Sequence, residues 1–310
     1  MSSDVEGFAD IDYLKCVSCG LCVVSCPFGA IGEKSEIAQV LRSIQDGNRV
    51  HAELAPSFAG QFGPLVKPES LKTALIQLGF AGVAEVAYGA DLAIHDESKK
   101  LSLLLAAQPG ADDRAFIGTS CCPSWVLAAR SHYPELAGNI SESFTPMVET
   151  AKKIKGYDPL AKIVFIGPCV AKKTECFRPQ VAGFVDFVLT FEELAAMFLA
   201  KGIDPAQLPS NDRLDEASSA GRAYPIAGNV AKAILDQYQA NCSTPIEFNL
   251  ASPDTLRACL DILNQIEKRQ ITPPPRLVVG MACPHGCIGG PGTLAPIKRA
   301  KAAVEVFAKE

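Results

Sequence analysis

Three short segments, far apart in the chain, each place cysteines directly after an apolar stretch that is typical of a buried strand. They are residues 119–125, 166–172 and 280–287, and their thiols are those of Cys121, Cys122, Cys169, Cys283 and Cys287. In a fold of parallel strands and helices, the carboxyl ends of the strands meet at one edge of the sheet, where ligands bind. The pattern therefore predicts an α/β fold in which five thiols meet, a set suited to an iron–sulfur centre.

Strand-like and helix-like stretches alternate from residue 49 onward. We expect strands over 49–55, 83–87, 115–118, 162–166, 184–189 and 276–280. We expect helices over 36–45, 68–78, 97–107, 123–133, about 146–155, 191–201, near 229–240 and 253–268, and over 296–309. Thr190 and Glu193 form a capping-box pattern at the start of the helix over 191–201. This alternation predicts an α/β domain of two lobes, with mostly parallel sheets flanked by helices and a cleft between the lobes.

The cysteines at the N-terminus form the run Cys16-x-x-Cys19-x-x-Cys22-x-x-x-Cys26-Pro. This spacing is that of a bacterial ferredoxin motif for a 4Fe–4S cluster, whereas a structural zinc site usually has two separated pairs. We therefore predict a ferredoxin-like module over residues 1–47 and the two-lobed domain over residues 48–310. The fourth ligand is open, because it is either Cys26, a remote thiol such as Cys176, or one from a second run on a partner or missing segment.

The later segments offer more thiols than one cluster needs. Cys122, Cys169, Cys283 and Cys287 suffice for a second 4Fe–4S cluster, which leaves Cys121 over. Glycines around the segments allow the backbone to approach a bulky inorganic group, and Lys172 offers a cation to an anionic ligand. The alternative is a set of buried structural cysteines, which the shared context of three segments disfavours. For the lone Cys259, in a helical pattern, a small buried hydrophobe is the expected role.

Composition excludes several classes of function. The 310-residue chain is 48% hydrophobic, and its net charge of −5 gives no reason to expect a nucleic acid or an anionic membrane as a partner. No apolar run reaches the length of a membrane span, and the polar N-terminus lacks the features of a secretory signal. We therefore expect a cytoplasmic protein. In that compartment its twelve cysteines favour metal ligation or catalysis over disulfides.

The three cysteine segments resemble the H-cluster signatures of the FeFe-hydrogenases. They read TSCCPSW over 119–125, GPCVAKKTE over 167–175 and MACPHGCIGG over 281–290. The likeness extends to residues 16–27, 55–57, 88–91 and 219–224, and so covers nearly the whole chain. The GPC of the second segment is more similar to group B of this family than to group A.

The resemblance implies a cofactor and its ligands. The H-cluster is a 4Fe–4S cubane joined through one cysteine sulfur to a diiron unit that bears carbonyl, cyanide and a bridging azadithiolate. The implied cubane ligands are Cys122, Cys169, Cys283 and Cys287, the last of which also bridges to the diiron unit. The residues implied to hold the diiron unit are Ala55, Pro56, Ser57 and Lys172. Cys121 would then be the proton-relay thiol, which accounts for the extra cysteine.

The implied reaction is 2H⁺ + 2e⁻ ⇌ H₂, with electrons that pass through the cluster of residues 16–26. The implied partners are a ferredoxin or similar electron carrier, the H-cluster maturation proteins and, as one option, a second iron–sulfur subunit. Glu97 and Ser141 match the first two members of the group A proton path after the relay cysteine. Lys100 and Leu104 stand where its second glutamate and its arginine would be, so the outer path departs from that pattern.

Three functions follow from the resemblance and its departures. The first is a hydrogen-converting enzyme, which the full ligand set and Cys121 favour. The second is a hydrogen sensor of low turnover, which the altered proton path favours. The third is a non-catalytic iron–sulfur protein similar to the hydrogenase-like assembly factors of eukaryotes, which carry cubanes without a diiron unit.

Overall fold

The computed structural model describes residues 2–3, 7–107, 114–210, 213–214, 217–242 and 247–310. In these ranges the strands are β1 Ser2–Ser3, β2 Ala9–Asp10, β3 Val50–Leu54, β4 Gly82–Glu85, β5 Ile117–Gly118, β6 Lys162–Gly167, β7 Phe187–Thr190, β8 Asn249–Ala251 and β9 Pro275–Val278. The α-helices are α1 Leu21–Ser25, α2 Ile37–Gln45, α3 Pro68–Leu78, α4 Val86–Ala106, α5 Pro123–His132, α6 Pro146–Tyr157, α7 Ala171–Glu175, α8 Phe191–Lys201, α9 Ser219–Ala223, α10 Asn229–Asn241, α11 Leu256–Glu267 and α12 Ile297–Phe307.

Two separate parallel sheets confirm the predicted α/β fold. The larger sheet has the strand order β4-β3-β6-β7 and the smaller one the order β5-β9-β8, and β1 and β2 pair as a short antiparallel ladder. Helices flank both parallel sheets. The central strand β6 is buried along almost its whole length, as expected of a parallel strand covered on both faces.

Each sheet organises its own hydrophobic packing. The main core surrounds the larger sheet and includes fully buried residues from β3 and β6, such as Val50 and Ile163. Two smaller clusters pack around the smaller sheet, and Trp125 and Cys259 belong to one of them. Cys259 has no exposed surface, which confirms the expected role as a buried small residue. Val40 of α2 lies in the main core, and the boundary between residues 47 and 48 stays a prediction.

Local sequence signals place several helix ends correctly. The predicted helix over 68–78 is α3, and it ends where Gly79 adopts a φ of 107° and donates its backbone N–H to the carbonyl of Ile76. The capping box at α8 is formed. The Thr190 hydroxyl accepts from the Glu193 N–H at 3.1 Å, and the Glu193 carboxylate accepts from the Thr190 N–H at 2.7 Å.

The prediction for residues 83–107 is partly wrong. The strand ends at Glu85, and α4 begins at Val86, eleven residues before the predicted start at Glu97. The reason is a seam of small residues that packs against α6. A Cβ atom added at Gly89 would lie 2.1 Å from the carbonyl oxygen of Pro146, so the two helices approach at a distance that requires glycine. Strands β1, β2 and β8 and helices α1, α7 and α9 were not anticipated.

Gly280 supports a prediction about the packing behind the third cysteine segment. A Cβ atom at this position would lie 2.3 Å from the fully buried ring of Trp125. We expect Gly280→Ala to lower the free energy of unfolding by about 1–3 kcal/mol through overpacking, as measured by thermal or urea denaturation. Gly156 on α6 has no atom within 4 Å of an added Cβ, so Gly156→Ala is the matched control. Equal stability of the two variants would contradict the packing argument.

Candidate metal centre

One cavity between the two sheets is lined by all five cysteines of the three segments. Cys169 follows β6 of the larger sheet, whereas Cys121, Cys122, Cys283 and Cys287 follow strands β5 and β9 of the smaller sheet. Residues 55–57, which follow β3, line the same cavity. The thiols therefore meet between the carboxyl ends of two sheets. The sequence predicted that they would meet at the edge of one sheet. The space between the lining atoms, including its opening to solvent, is about 740 Å³.

The arrangement of the thiols suits a bulky group more than a single ion. Among the described residues, no three His, Cys, Asp or Glu side chains converge closely enough to hold one metal ion. The five thiols instead surround a space that apolar side chains such as Met147 and Phe165 also line. Soft sulfur ligands distributed around a cavity match the requirements of a multi-iron cluster.

Burial and mutual repulsion raise the pKa values of three candidate ligands, Cys169, Cys283 and Cys287. Burial raises the pKa of the Cys169 thiol to about 11, with a further contribution from Cys122. Burial and the neighbouring thiols also raise the pKa values of Cys283 and Cys287. Several thiolates so close together in an apolar cavity repel one another. Iron is the kind of partner that would keep them deprotonated, and its binding would release their protons.

Ser57 adds an unsatisfied donor to the cavity lining. Its side chain has no exposed surface, and its Oγ has no hydrogen-bond partner among the described residues. Buried hydroxyls are rarely left without a partner. The Ser57 hydroxyl is therefore available to a polar atom of a group bound in the cavity, as the resemblance implies.

Lys172 brings a buried positive charge to the cavity lining. Its ammonium donates to Glu175 Oε2 at 2.5 Å, and Glu175 Oε1 accepts from the Thr145 hydroxyl at 2.9 Å. Burial lowers the pKa of Lys172, but the Glu175 carboxylate more than compensates, so the net shift is upward. The lysine therefore stays charged beside the cavity and is suited to an anionic ligand.

Cys121 has two hydroxyl groups as neighbours. Thr119 Oγ1 lies 3.8 Å from Cys121 Sγ, and a hydrogen bond with the buried Tyr224 side chain lowers the pKa of this thiol. Burial and Cys122 outweigh both contributions and raise the pKa to about 12. Tyr224 did not figure among the predicted site residues. Its only sequence signal was that it ends the 219–224 stretch, which resembles the family. The spacing of that stretch does not reveal a contact with Cys121.

Glu97 is held beside the first cysteine segment. The backbone N–H and the hydroxyl of Ser120 both donate to Glu97 Oε1, at 3.0 and 3.1 Å. Burial raises the pKa of Glu97, although hydrogen bonds from Ser120 and Ser141 and the charge of Lys100 oppose this. The other carboxylate oxygen has no partner within hydrogen-bond distance among the described residues, so the contact with Ser141 is a longer one. Glu97 also raises the pKa of Cys121, which places the two groups in electrostatic contact.

The N-terminal run packs directly on the second segment and on the residue that follows the third segment. Gly20, at a φ of 73°, comes so close that an added Cβ would lie 2.6 Å from Pro291 and 2.8 Å from Val170. Cys19 is near enough to Cys283 to raise the pKa of that thiol. The two candidate clusters are therefore neighbours.

Within the run, several contacts favour cluster ligation. Backbone N–H groups donate to Cys16 Sγ and Cys26 Sγ, each at 3.4 Å. Burial, and then Cys22 and Cys16, raise the pKa of Cys19. Cys176, the remote alternative, is buried in the main core and donates to the carbonyl oxygen of Lys173 at 3.1 Å. The assignment of Cys26 as the fourth ligand stays a prediction.

Residues 48–291 match the protein family described as "Iron only hydrogenase large subunit, C-terminal domain", and residues 9–32 match the "4Fe-4S binding domain" family. The chain belongs to the iron-only hydrogenase family. This membership agrees with the resemblance predicted from the three cysteine segments.

Several individual proteins share part of their length with the chain. "NADP-reducing hydrogenase subunit HndD" from Solidesulfovibrio fructosivorans is 28% identical over 89% of this chain and 55% of its own length. "Iron hydrogenase 1" from Clostridium pasteurianum is 34% identical over 67% of this chain and 40% of its own length. The chain thus spans about half of the length of these relatives. "Cytosolic Fe-S cluster assembly factor NAR1" from Meyerozyma guilliermondii is 25% identical over 61% of this chain and 39% of its own length.

Solved hydrogenase structures share the fold. Apo [FeFe]-hydrogenase HydA1 from Chlamydomonas reinhardtii superimposes with a TM-score of 0.71 over 87% of this chain and 88% of that chain, at 20% identity. At this identity the likeness supports the fold alone. None of the helices in the described part of the chain is long and apolar enough to cross a membrane.

Glu53 generates a prediction about the pH dependence of stability. It lies on β3 with no exposed surface, and neither carboxylate oxygen has a hydrogen-bond partner among the described residues. Burial raises its pKa well above the ordinary value; Lys172 opposes and Glu175 adds to this shift. The folded state therefore keeps a proton that the unfolded state loses above about pH 4.5, so stability falls as the pH rises toward the folded-state pKa.

We expect Glu53→Gln to remove this fall in stability with rising pH. The stability of the wild type relative to the variant should fall by at most about 1.4 kcal/mol per pH unit above the ordinary glutamate pKa. Thermal unfolding at a series of pH values measures the difference. Glu135→Gln, at an exposed position, is the control and should follow the wild type. Parallel curves for the wild type and Glu53→Gln would show that Glu53 is ionised in the folded protein.

Proposed function

We propose that this chain is a hydrogenase that interconverts protons, electrons and H₂ at an H-cluster bound in the cavity between the two sheets. The observation that carries the proposal is the surplus thiol. Five thiols line one cavity, four of them suffice for a cubane, and the fifth, Cys121, adjoins hydroxyls and a buried carboxyl group. A protein that only stores a cubane has no need of the fifth thiol or of Glu97.

The chain's own residues would bind and orient the cofactor. Cys122, Cys169, Cys283 and Cys287 would hold the cubane, with Cys287 as the bridge to the diiron unit. Ala55, Pro56, Ser57 and Lys172 would contact the diiron unit, and the Ser57 hydroxyl and the Lys172 ammonium are the polar groups among them. When bound, the cofactor supplies the irons that exchange electrons and the amine that accepts protons. The apolar remainder of the lining would exclude water from the reaction.

Cys121 and Glu97 would move protons. The Cys121 thiol, whose pKa of about 12 keeps it protonated at neutral pH, would hold a proton at Sγ beside the cavity. Glu97, anchored by Ser120, would replace that proton from the side of Ser141. A buried carboxyl group with a raised pKa is suited to take up and release protons.

The N-terminal run would carry electrons to the cavity. Its contact with Pro291 and Val170 supports a short path between the two clusters. Tyr13, Leu14 and Phe28 expose large apolar surfaces on this module, a feature typical of a docking surface. Such a surface supports an electron carrier such as a ferredoxin, or a second iron–sulfur subunit, as the partner. Maturation proteins would install the diiron unit.

The similarity to an Fe–S cluster assembly factor favours one alternative, a non-catalytic iron–sulfur protein. The two functions differ in iron content. Two cubanes correspond to about eight irons per chain, whereas a complete H-cluster and one further cubane correspond to about ten. Iron determination on matured protein therefore distinguishes them.

We expect matured protein to bind about ten irons per chain, to show carbonyl and cyanide infrared bands, and to evolve H₂ from a reduced viologen. Cys121→Ala should keep the infrared bands and lose at least about a hundredfold in rate, because a positioned proton donor is missing. Cys242→Ala, at the end of α10 and outside the cavity, is the control and should retain the rate.

Two outcomes would contradict the proposal in different ways. Matured protein with about eight irons and no carbonyl or cyanide bands would favour the non-catalytic function. Complete infrared bands with near-zero turnover, together with reversible spectral changes under H₂, would favour the sensor.

A further inference from the structure

A compact polar cluster lies on the solvent side of Glu97. Lys100 Nζ donates to Ser141 Oγ at 3.1 Å and to Ser143 Oγ, and it pairs with Asp96 Oδ2 at 3.0 Å. The two serine hydroxyls are 2.9 Å apart, and Ser143 Oγ donates to Asp96 Oδ2. Helix α4 supplies the lysine and the aspartate, and the segment between α5 and α6 supplies the serines.

The lysine fixes the direction of the hydroxyl groups. An ammonium group donates three hydrogen bonds and accepts none, and the three of Lys100 point to Ser141, Ser143 and Asp96. Each serine oxygen thus accepts from Lys100, and its own proton is free to point along the chain of groups. The Ser143 proton points to Asp96, and the Ser141 proton has Ser143 and Glu97 as its neighbours. This pattern suits transfer of protons along the row of oxygens.

The outer end of this row reaches solvent. Half of the Asp96 side-chain surface is exposed, whereas Glu97, the next residue along α4, is buried. A groove that opens to solvent also passes Ser141 and Ser143. The groups therefore form a graded series from the buried Glu97 to a carboxylate in contact with water.

We propose that Ser141, Ser143 and Asp96 form the proton exit of this protein, with Lys100 as the residue that positions it. This exit chain rests on the proposed function and replaces the outer path that Lys100 and Leu104 alter. In the direction of H₂ evolution, the Ser143 hydroxyl turns its proton from Asp96 toward Ser141, and Asp96 takes a proton from water and passes it to Ser143 Oγ. Ser143 then gives its own proton to Ser141, and Ser141 gives its proton to Glu97. Each hydroxyl gains one proton and loses one, and both then turn back to their starting directions. The net change is one proton moved from water to a Glu97 that has already given its own proton to Cys121.

A surface ion pair on a helix is the competing explanation for Asp96 and Lys100. The chain offers a matched pair in Lys232 and Asp236, which are also four residues apart on a helix, with their atoms 2.5 Å apart. The described contacts of Asp236 include no hydroxyl group, whereas Asp96 accepts from Ser143. Asp236→Asn is therefore the control for the loss of one exposed carboxylate from such a pair.

The first test uses matured protein. We expect Ser143→Ala and Asp96→Asn each to lower the rate of H₂ evolution at least about tenfold, with unchanged iron content and infrared bands. A small weak acid added as buffer should restore part of the lost rate, because it delivers protons past the broken chain. A variant with a structural defect would not respond to the buffer. Asp236→Asn should keep the wild-type rate.

The second test needs no diiron unit. In protein that carries its cubanes alone, at a pH where Glu97 is protonated, transfer into D₂O replaces the carboxyl proton and shifts its infrared carbonyl band. Glu97→Gln assigns the band, and the buried Glu53, which lies outside the exit chain, provides a reference in the same spectrum. We expect Ser143→Ala and Asp96→Asn to slow the exchange of the Glu97 proton at least about tenfold and to leave that of Glu53 unchanged.

The outcomes separate this inference from the proposed function. If the wild type evolves no H₂ but the exchange of Glu97 slows in both variants, the exit chain stands and the proposed function fails. If the wild type evolves H₂ and both variants match it in rate and in exchange, the exit chain is overturned. If Ser143→Ala lowers the rate of H₂ evolution and the exchange of the Glu97 proton but Asp96→Asn changes neither, protons enter from the groove beside Ser143. That result would overturn the role of Asp96.

Discussion

The repulsion among buried thiolates is the constraint on which the rest of this structure depends. Two parallel sheets direct their carboxyl ends at one cavity, and the loops that follow β5, β6 and β9 bring five cysteines to it. Burial raises the pKa of every one of these thiols for which a shift is resolved, so the set is unfavourable as anions without a cationic partner. The fold is consistent with a bound iron cluster, which would supply the positive charge that would stabilise the thiolates.

The charged residues next to the cavity follow the same electrostatic logic. Lys172 brings one positive charge to the lining, and Glu175 balances it at 2.5 Å. Glu53 lies nearby on β3 without a hydrogen-bond partner among the described residues, and burial favours its neutral form. If Glu53 were ionised, it would be a second counter-ion for Lys172 and would reduce the positive charge that the lysine presents to the cavity. A neutral Glu53 instead leaves Lys172 with a single counter-ion and with donors that remain for an anionic ligand.

Local sequence patterns predicted the helices and strands, but they could not predict how these elements pack over long range. The capping box of Thr190 and the terminating Gly79 depend on neighbours within a few residues, so the sequence is sufficient to place them. The start of α4 at Val86 depends on a close approach to Pro146, some sixty residues away, which no local pattern encodes. For the same reason spacing predicted that the thiols would meet, but not that they would meet between two sheets. Tyr224 was missed because its hydroxyl matters through a contact with Cys121, which lies on a different part of the chain.

The polar cluster around Lys100 shows how one altered position changes the requirements on its neighbours. A carboxyl group in a proton path accepts and releases protons itself, whereas a lysine ammonium at neutral pH only donates hydrogen bonds. With a lysine at position 100, the proton-accepting oxygens have to come from elsewhere. In the proposed exit chain Ser143 and Asp96 supply them, and both contact the ammonium group and each other. In the proposed exit chain, the cation that interrupts the expected route orients the oxygens of the other. On this proposal a lysine there is compatible with proton transfer, because two oxygens outside the expected path lie next to it.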